Sequence, residues 1–156
     1  MIPAKIRKFL ENNKVKHTVI KHKTVYTAYD LANTLKKKLN EVAKTLVIKV
    51  DKGHVLVVLP ASHQVDFKSL KKLLKAKKVD VDKENVMVKI FKVKAGALSA
   101  IHGTINKIPV YVDKSLTKAK KIVAQAGSFE ESLHITAKDF IKAVDGQLAV
   151  FSKKKK

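Results

Sequence analysis

Lys44 has the clearest chemical potential in this chain, because it stands directly before an apolar hairpin. The segment Glu41 to Pro60 reads EVAKTLVIKVDKGHVLVVLP, β-branched or leucine-rich from Thr45 to Val50 and again from His54 to Leu59. An ammonium held at the end of a stiff strand can meet a phosphate or an anionic transition state. The same lysine also reads as a solvated charge at a strand end. His102, in Gly96-Ala97-Leu98-Ser99-Ala100-Ile101-His102-Gly103, offers an imidazole that titrates near neutrality and can move protons, with no partner visible in the sequence. Ser99 lacks a Gly-x-Ser-x-Gly elbow, which argues against a serine nucleophile. His17 and His22 are not at a helical metal-binding spacing and have no HExxH context, so they read as surface residues and no metal site is expected. The absence of cysteine excludes disulfides, thiolate metal sites and a thiol nucleophile.

The formal charge of +21 narrows the partner class. A field of that sign over a small domain raises the local concentration of polyanions and speeds their encounter, which points to RNA or DNA. Arg7 is the only arginine. Lysine is a point charge that cannot form the bidentate fork, so sequence-specific base reading is not expected. No apolar run reaches the roughly 18 residues of a membrane span and Met1 to Lys5 has no signal-peptide core, so the expectation is a cytoplasmic protein with no membrane contact.

The elements that must position these residues follow from periodicity. At 156 residues the chain fits one domain, and a domain of this size buries roughly two-thirds of its unfolded surface. The second strand of the hairpin, His54 to Leu59, has almost no polar alternation, which predicts a central strand covered on both faces. Asp51-Lys52-Gly53 is the expected turn, with Gly53 tolerating a left-handed conformation. Helices are expected over 3–12, from Thr27 to about Leu39, from Asp66 through Leu74, from Asp82 to about Lys89, and from Thr136 to Val144. Further strands are expected at 16–20, 79–81, 108–112, 122–126, 132–135 and 148–151, with loops at 60–64 and 96–103. Lys68, Lys71, Lys72 and Lys75 crowd the outer face of the third helix, where they are either a solvated surface or a contact for an RNA backbone. The expected fold is one mixed α/β domain over residues 1–152, a largely antiparallel twisted sheet flanked by helices, followed by a basic tail at 153–156.

An ordered series of short segments adds a resemblance. Thr27-Ala28 followed by a helix, then Ala43-Lys44-Thr45-Leu46-Val47, then Gly96-Ala97-Leu98, then Val110-Tyr111-Val112-Asp113-Lys114-Ser115-Leu116 and Ala126-Gly127 resemble the YbaK/prolyl-tRNA synthetase-associated editing domain, from about Lys16 to about Val144. The resemblance implies a freestanding aminoacyl-tRNA deacylase that hydrolyses the ester of small mischarged amino acids on tRNA, alone or with an aminoacyl-tRNA synthetase. The alternative is a catalytically impaired RNA- or tRNA-binding protein of the same fold. The resemblance implies Lys44 at the terminal phosphate or reacting ester; His102 is the further catalytic candidate on its imidazole chemistry alone. The expected substrate contacts are Tyr26, Thr27, Gly96, Ala97, Leu98, Ser99, Gly103, Asp113 and Gly127. No cofactor is implied. The sequence departs from the family pattern in one loop: Ser99-Ala100 stands where a proline is expected, and His102 either replaces the closing glycine or precedes it as an insertion.

Overall fold

A computed structural model describes residues 2–51 and 53–155. The hairpin lies at its centre, with β2 (Ala43–Val50) and β3 (Gly53–Pro60) paired antiparallel from Ala43↔Pro60 to Val50↔Gly53. The preceding elements are α1 (Ala4–Asn12), β1 (Thr18–Lys21) and α2 (Ala28–Leu35). After the hairpin come β4 (His63–Val65), α3 (Phe67–Leu74), β5 (Val79–Val81), α4 (Glu84–Phe91) and α5 (Ala100–Ile105). The chain continues through β6 (Val110–Asp113), β7 (Lys121–Gln125), β8 (Glu131–Thr136), α6 (Ala137–Ala143), β9 (Gln147–Ala149) and β10 (Ser152–Lys154).

These strands form a five-stranded sheet in the order β5-β2-β3-β6-β9, a three-stranded sheet β1-β8-β7 and the pair β10-β4. β6 runs parallel to β3 and β9 parallel to β6, whereas the other ladders are antiparallel. The mixed α/β, largely antiparallel architecture therefore holds, although the strands divide among three sheets. The two larger sheets touch where Val42 bridges Val123.

β3 is covered on both faces, as its unbroken hydrophobicity predicts. Because successive side chains alternate across a strand, Leu56 and Val58 enter a core with Ile101, Val112, Leu116 and Phe140, while Val55, Val57 and Leu59 enter a second core with Leu70 and Phe151. A slip of one residue would exchange the two sets, so burial on both sides fixes the register. A third cluster, Ala28, Leu31, Ala32, Val42 and Val123, seats α2 on the junction of the two sheets.

Several local expectations are corrected. The left-handed turn residue of the hairpin is Asp51, at φ 46, and not Gly53, which begins β3. Asp51 is held in that conformation by accepting hydrogen bonds from the Lys77 and Lys78 amides. α2 ends at Leu35, short of Leu39, because Lys36 turns left-handed at φ 55. Lys83, not Asp82, takes the N-cap position of α4, and the Asp82 carboxylate accepts from the Lys83 amide. Residues 60–64 are not all loop, since β4 begins at His63 and pairs with β10. Lys153 and Lys154, read as tail, belong to that pair. The segment 96–103 is not a loop either: a single 3₁₀ turn, Ala95–Ala97, is followed by α5.

Candidate functional site

Residues far apart in sequence meet around a cavity of about 340 Å³ at the edge where β2 faces β7 and α2. Tyr26, Thr27 and Tyr29 form one wall, Lys44 to Val47 a second, and Gly96 and Leu98 a third. Val81, Asp82, Met87 and Gln125 complete it. Larger concavities lie elsewhere, one of about 530 Å³ beside Arg7, His17 and His22 and one of about 720 Å³ among Lys49, Lys77 and Lys78. The smaller cavity has an apolar lining with a few polar groups converging on it, the form that binding sites for small molecules take.

Each wall is set by local chemistry. Thr27 caps α2, its Oγ1 accepting from the Asp30 amide at 3.0 Å, which fixes where the chain turns from Tyr26 into the helix. The Tyr26 ring stands edge-on to Phe129 at 4.9 Å between centroids. Gly96 lets the 3₁₀ turn press against that entry: a Cβ there would lie 2.0 Å from the Tyr26 carbonyl oxygen. Glycine is required at this point by close approach alone.

Lys44 borders the cavity, half-buried, but strand alternation sends its side chain to the face shared with Leu46 and Ile48, opposite Ala43 and Val47. There its Nζ donates to the His63 carbonyl at 3.1 Å. Burial lowers the ammonium below its ordinary value of 10.5. One of its three N–H groups goes to His63. Lys155 reaches one residue of the lining: its backbone amide donates to the Ser62 carbonyl and its Nζ lies 4.4 Å from the centroid of the Tyr29 ring.

The structure brings Tyr26, Thr27, Lys44, Gly96 and Leu98 together and leaves the other expected residues out of the lining. Ser99 caps α5, with its Oγ accepting from the Ile101 amide, and His102 Nδ1 accepts from the Ser99 amide at 3.0 Å. His102 is thus the far half of a capping box, buried at 6 % exposure, and that burial is the main cause lowering its pKa below the ordinary imidazole value. It is packed behind the cavity wall and not presented to it. Ala100 occupies the first helical position, a place that accepts proline as readily as alanine. Gly103 lies inside α5, where a Cβ would come within 2.5 Å of Leu56 Cδ1, so it is a packing glycine.

Ala97 accepts from the Gly127 amide at 2.7 Å, and Gly127, at φ +83, backs onto Pro3. Asp113 is buried and fully engaged: Oδ1 accepts from the Phe151 and Ser152 amides, and Oδ2 from the Ser115 amide and hydroxyl. Burial pushes its carboxyl up, but these donors outweigh burial and hold it below the usual range. It anchors the C-terminal strand and is not part of this cavity's lining. Lys68, Lys71, Lys72 and Lys75 are exposed on α3, outside the cavity.

Two polar residues of the lining were not singled out as site residues. Asp82, read only as a helix cap, brings a carboxylate whose Oδ2 is 2.7 Å from His54 Nε2. Gln125 interrupts the otherwise apolar strand Ile122 to Ala126, the one sequence signal that marked it. Among the described residues, no cluster of three or more His, Asp or Glu side chains could hold a metal ion, and no helix is long and apolar enough to cross a membrane.

Comparison with known proteins decides the family. The sequence profile of the aminoacyl-tRNA editing domain matches residues 22–143. The chain belongs to the aminoacyl-tRNA editing domain family. The prolyl-tRNA editing protein ProX of Acetoanaerobium sticklandii is 25 % identical over 141 residues, covering 86 % of this chain and 85 % of that protein. The proline–tRNA ligase of Staphylococcus saprophyticus is 27 % identical over 118 residues, covering 76 % of this chain. This editing domain spans about a fifth of the length of the ligases it matches. In fold it is similar to the crystal structure of a candidate trans-editing enzyme for prolyl tRNA synthetase, with a TM-score of 0.83 at 17 % identity, covering 98 % of this chain and 99 % of the other. The matched span includes every cavity residue, from Tyr26 through Gln125.

Proposed function

We propose that this editing domain acts as a freestanding deacylase, hydrolysing the ester that joins a small, wrongly attached amino acid to the 3′ end of tRNA. The observation that carries this reading is the convergence of Tyr26-Thr27, Lys44-Thr45 and Gly96 on one small cavity inside the family's matched span. A cavity of about 340 Å³ lined by Val47, Val81, Met87 and Leu98 suits a short side chain and can exclude larger ones by size.

The chemistry asked of the site is modest. Water adds to the ester carbonyl, the tetrahedral intermediate collapses, and the ribose oxygen leaves with a proton to give free amino acid and tRNA. An ester has a reasonable leaving group, so catalysis comes mainly from orientation and from stabilising the developing oxyanion. In this reading the aminoacyl group enters between Gly96 and Val47, while the Lys44 ammonium, at the rim with His63, meets the terminal phosphate. Lysines 68, 71, 72 and 75 add an electrostatic track for the tRNA body, and a synthetase is the natural source of the mischarged substrate.

A panel of mischarged tRNAs tests the proposal. Amino acid is released from at least one of them, and Lys44→Ala lowers the rate by about 10-fold or more while tRNA affinity falls modestly and shows a shallower salt dependence. Release from none of the panel, with tRNA binding intact, would identify an RNA-binding protein without the activity.

A further inference from the structure

The cavity lining holds a neutral amide oxygen with nothing to accept from. Gln125 is 8 % exposed and lines the cavity, and its Oε1 is buried with no hydrogen-bond partner among the described residues. Its neighbours in β7, Ile122, Val123 and Ala124, are apolar and buried, as is Ala126 beyond it. An unpaired buried amide oxygen is destabilising where an apolar side chain would simply pack. Two other side-chain acceptors of the lining already have partners within the protein. Thr27 Oγ1 takes the Asp30 amide and Asp82 Oδ1 the Lys83 amide, while Asp82 Oδ2, buried without a hydrogen bond of good geometry, lies 2.7 Å from His54 Nε2, a cation when protonated.

Resting on the deacylase reading, we infer that Gln125 Oε1 accepts a hydrogen bond from the α-ammonium group of the bound aminoacyl ester and so selects esters that carry a free amine. A short apolar aminoacyl group has no other donor inside such a cavity, because its side chain has none and the ribose hydroxyls stay at the mouth beside Lys44. A hydrogen bond from a charged donor in a buried site is the strong kind. It also gives a basis for rejection. An ester whose amine is absent leaves Oε1 unpaired, and one whose amine is acylated, as in a peptidyl-tRNA, loses the charge and adds bulk.

The experiment compares a mischarged tRNA that the protein deacylates with the same tRNA carrying the desamino acyl group, for example alanyl against propionyl. The kcat/KM ratio of the two substrates is measured in wild type, in Gln125→Met and in Asp82→Asn, so that the intrinsic reactivity of each ester cancels between proteins. The ratio is expected to fall about 10- to 100-fold in Gln125→Met, the worth of one charge-assisted hydrogen bond, and to hold in Asp82→Asn. Thermal melts provide a second readout: Gln125→Met is expected to melt at the wild-type temperature or a few degrees above it, since an apolar side chain of similar shape replaces an unpaired acceptor. An unchanged ratio in an active Gln125→Met protein, or a ratio that collapses only in Asp82→Asn, overturns the inference and leaves the deacylase reading standing. Wild type that releases no amino acid from any charged tRNA overturns both.

Discussion

Replacing Gly96 with alanine isolates the tightest contact in the cavity wall. The added Cβ would lie 2.0 Å from the Tyr26 carbonyl oxygen, 2.8 Å from its carbon and 3.1 Å from Phe129 Cε1, whereas ordinary contacts begin near 3.4 Å. The gap must therefore open by roughly 1.4 Å, the difference between 3.4 and 2.0 Å. Two of the three obstructing atoms are backbone, so no rotamer change relieves them. Overpacking of this kind costs about 1–3 kcal/mol, which for a domain of this size lowers the melting temperature by roughly 2–10 °C. The displaced segment is Tyr26-Thr27, which forms one side of the cavity, and misplacing a positioning wall by about 1 Å can cost about 100-fold in rate. The assay pairs thermal melts with deacylation kinetics on Gly96→Ala and on Gly53→Ala. The second variant is the control, because the nearest atom to its new Cβ is the Val50 carbonyl oxygen at 3.9 Å. Gly53→Ala is expected to behave as wild type in both measurements. A Gly96→Ala protein that loses stability but keeps wild-type kcat/KM would falsify the idea that this wall positions the substrate. One that keeps both would show that the contact yields without cost.

The remaining predictions concern stability. Burial is the main cause holding the His102 pKa below its ordinary value of 6.5; the Ser99 carbonyl, 3.1 Å from Nδ1 and an acceptor for the protonated ring, opposes it, and the Lys5 charge adds to it. The unfolded chain therefore binds a proton at this site before the folded one does, and the contribution is intact above pH about 6.5 and lost as the pH falls toward the lowered folded value. His102→Gln, which retains an acceptor for the Ser99 amide, is expected to leave the melting temperature at pH 7.5 nearly unchanged and to reduce its fall between pH 7 and pH 5. His63 and His134, lowered chiefly by burial, keep part of the slope; a slope identical to wild type would rule out His102 as a contributor. Lys75 ends α3 at φ 52, a left-handed conformation that L residues adopt at a cost. Lys75→Gly is expected to raise the melting temperature by about 2–4 °C, the equivalent of about 1 kcal/mol, while Lys71→Gly inside the same helix lowers it by a similar amount. Equal destabilisation by both would mean that the cap geometry carries no strain.

The features legible in the sequence are those set by neighbours along the chain. Val55 to Leu59 announce a strand covered on both sides because no polar residue interrupts them. Thr27, Asp66 and Thr136 announce helix starts because an N-cap bond spans only three residues. Lys44, Tyr26-Thr27 and Gly96 were named as one site only through the family's ordered segments, since nothing local relates them. What sequence reasoning assigned wrongly depends on contacts it cannot see. Histidine in the place of Glu or Gln hid the capping box of Ser99 and His102, so a helix was read as a binding loop. The lysines at 36, 75 and 92 end their helices left-handed where glycine is the usual marker, which blurred one boundary. β4 and β10 are too short and polar to stand out, and exist because Val65 and Ser152 meet across the fold.

Composition, alternation and capping thus settled on their own the charge, the central hairpin and most of the elements, because each depends on the chain's local conformation. Only the packing of two sheets against one another decided which polar side chains face the cavity. Gln125 and Asp82 reach it, while Asp113 and His102 are spent on holding the scaffold together, for the physical reason that a buried polar group's role is fixed by the partners that three-dimensional packing brings to it.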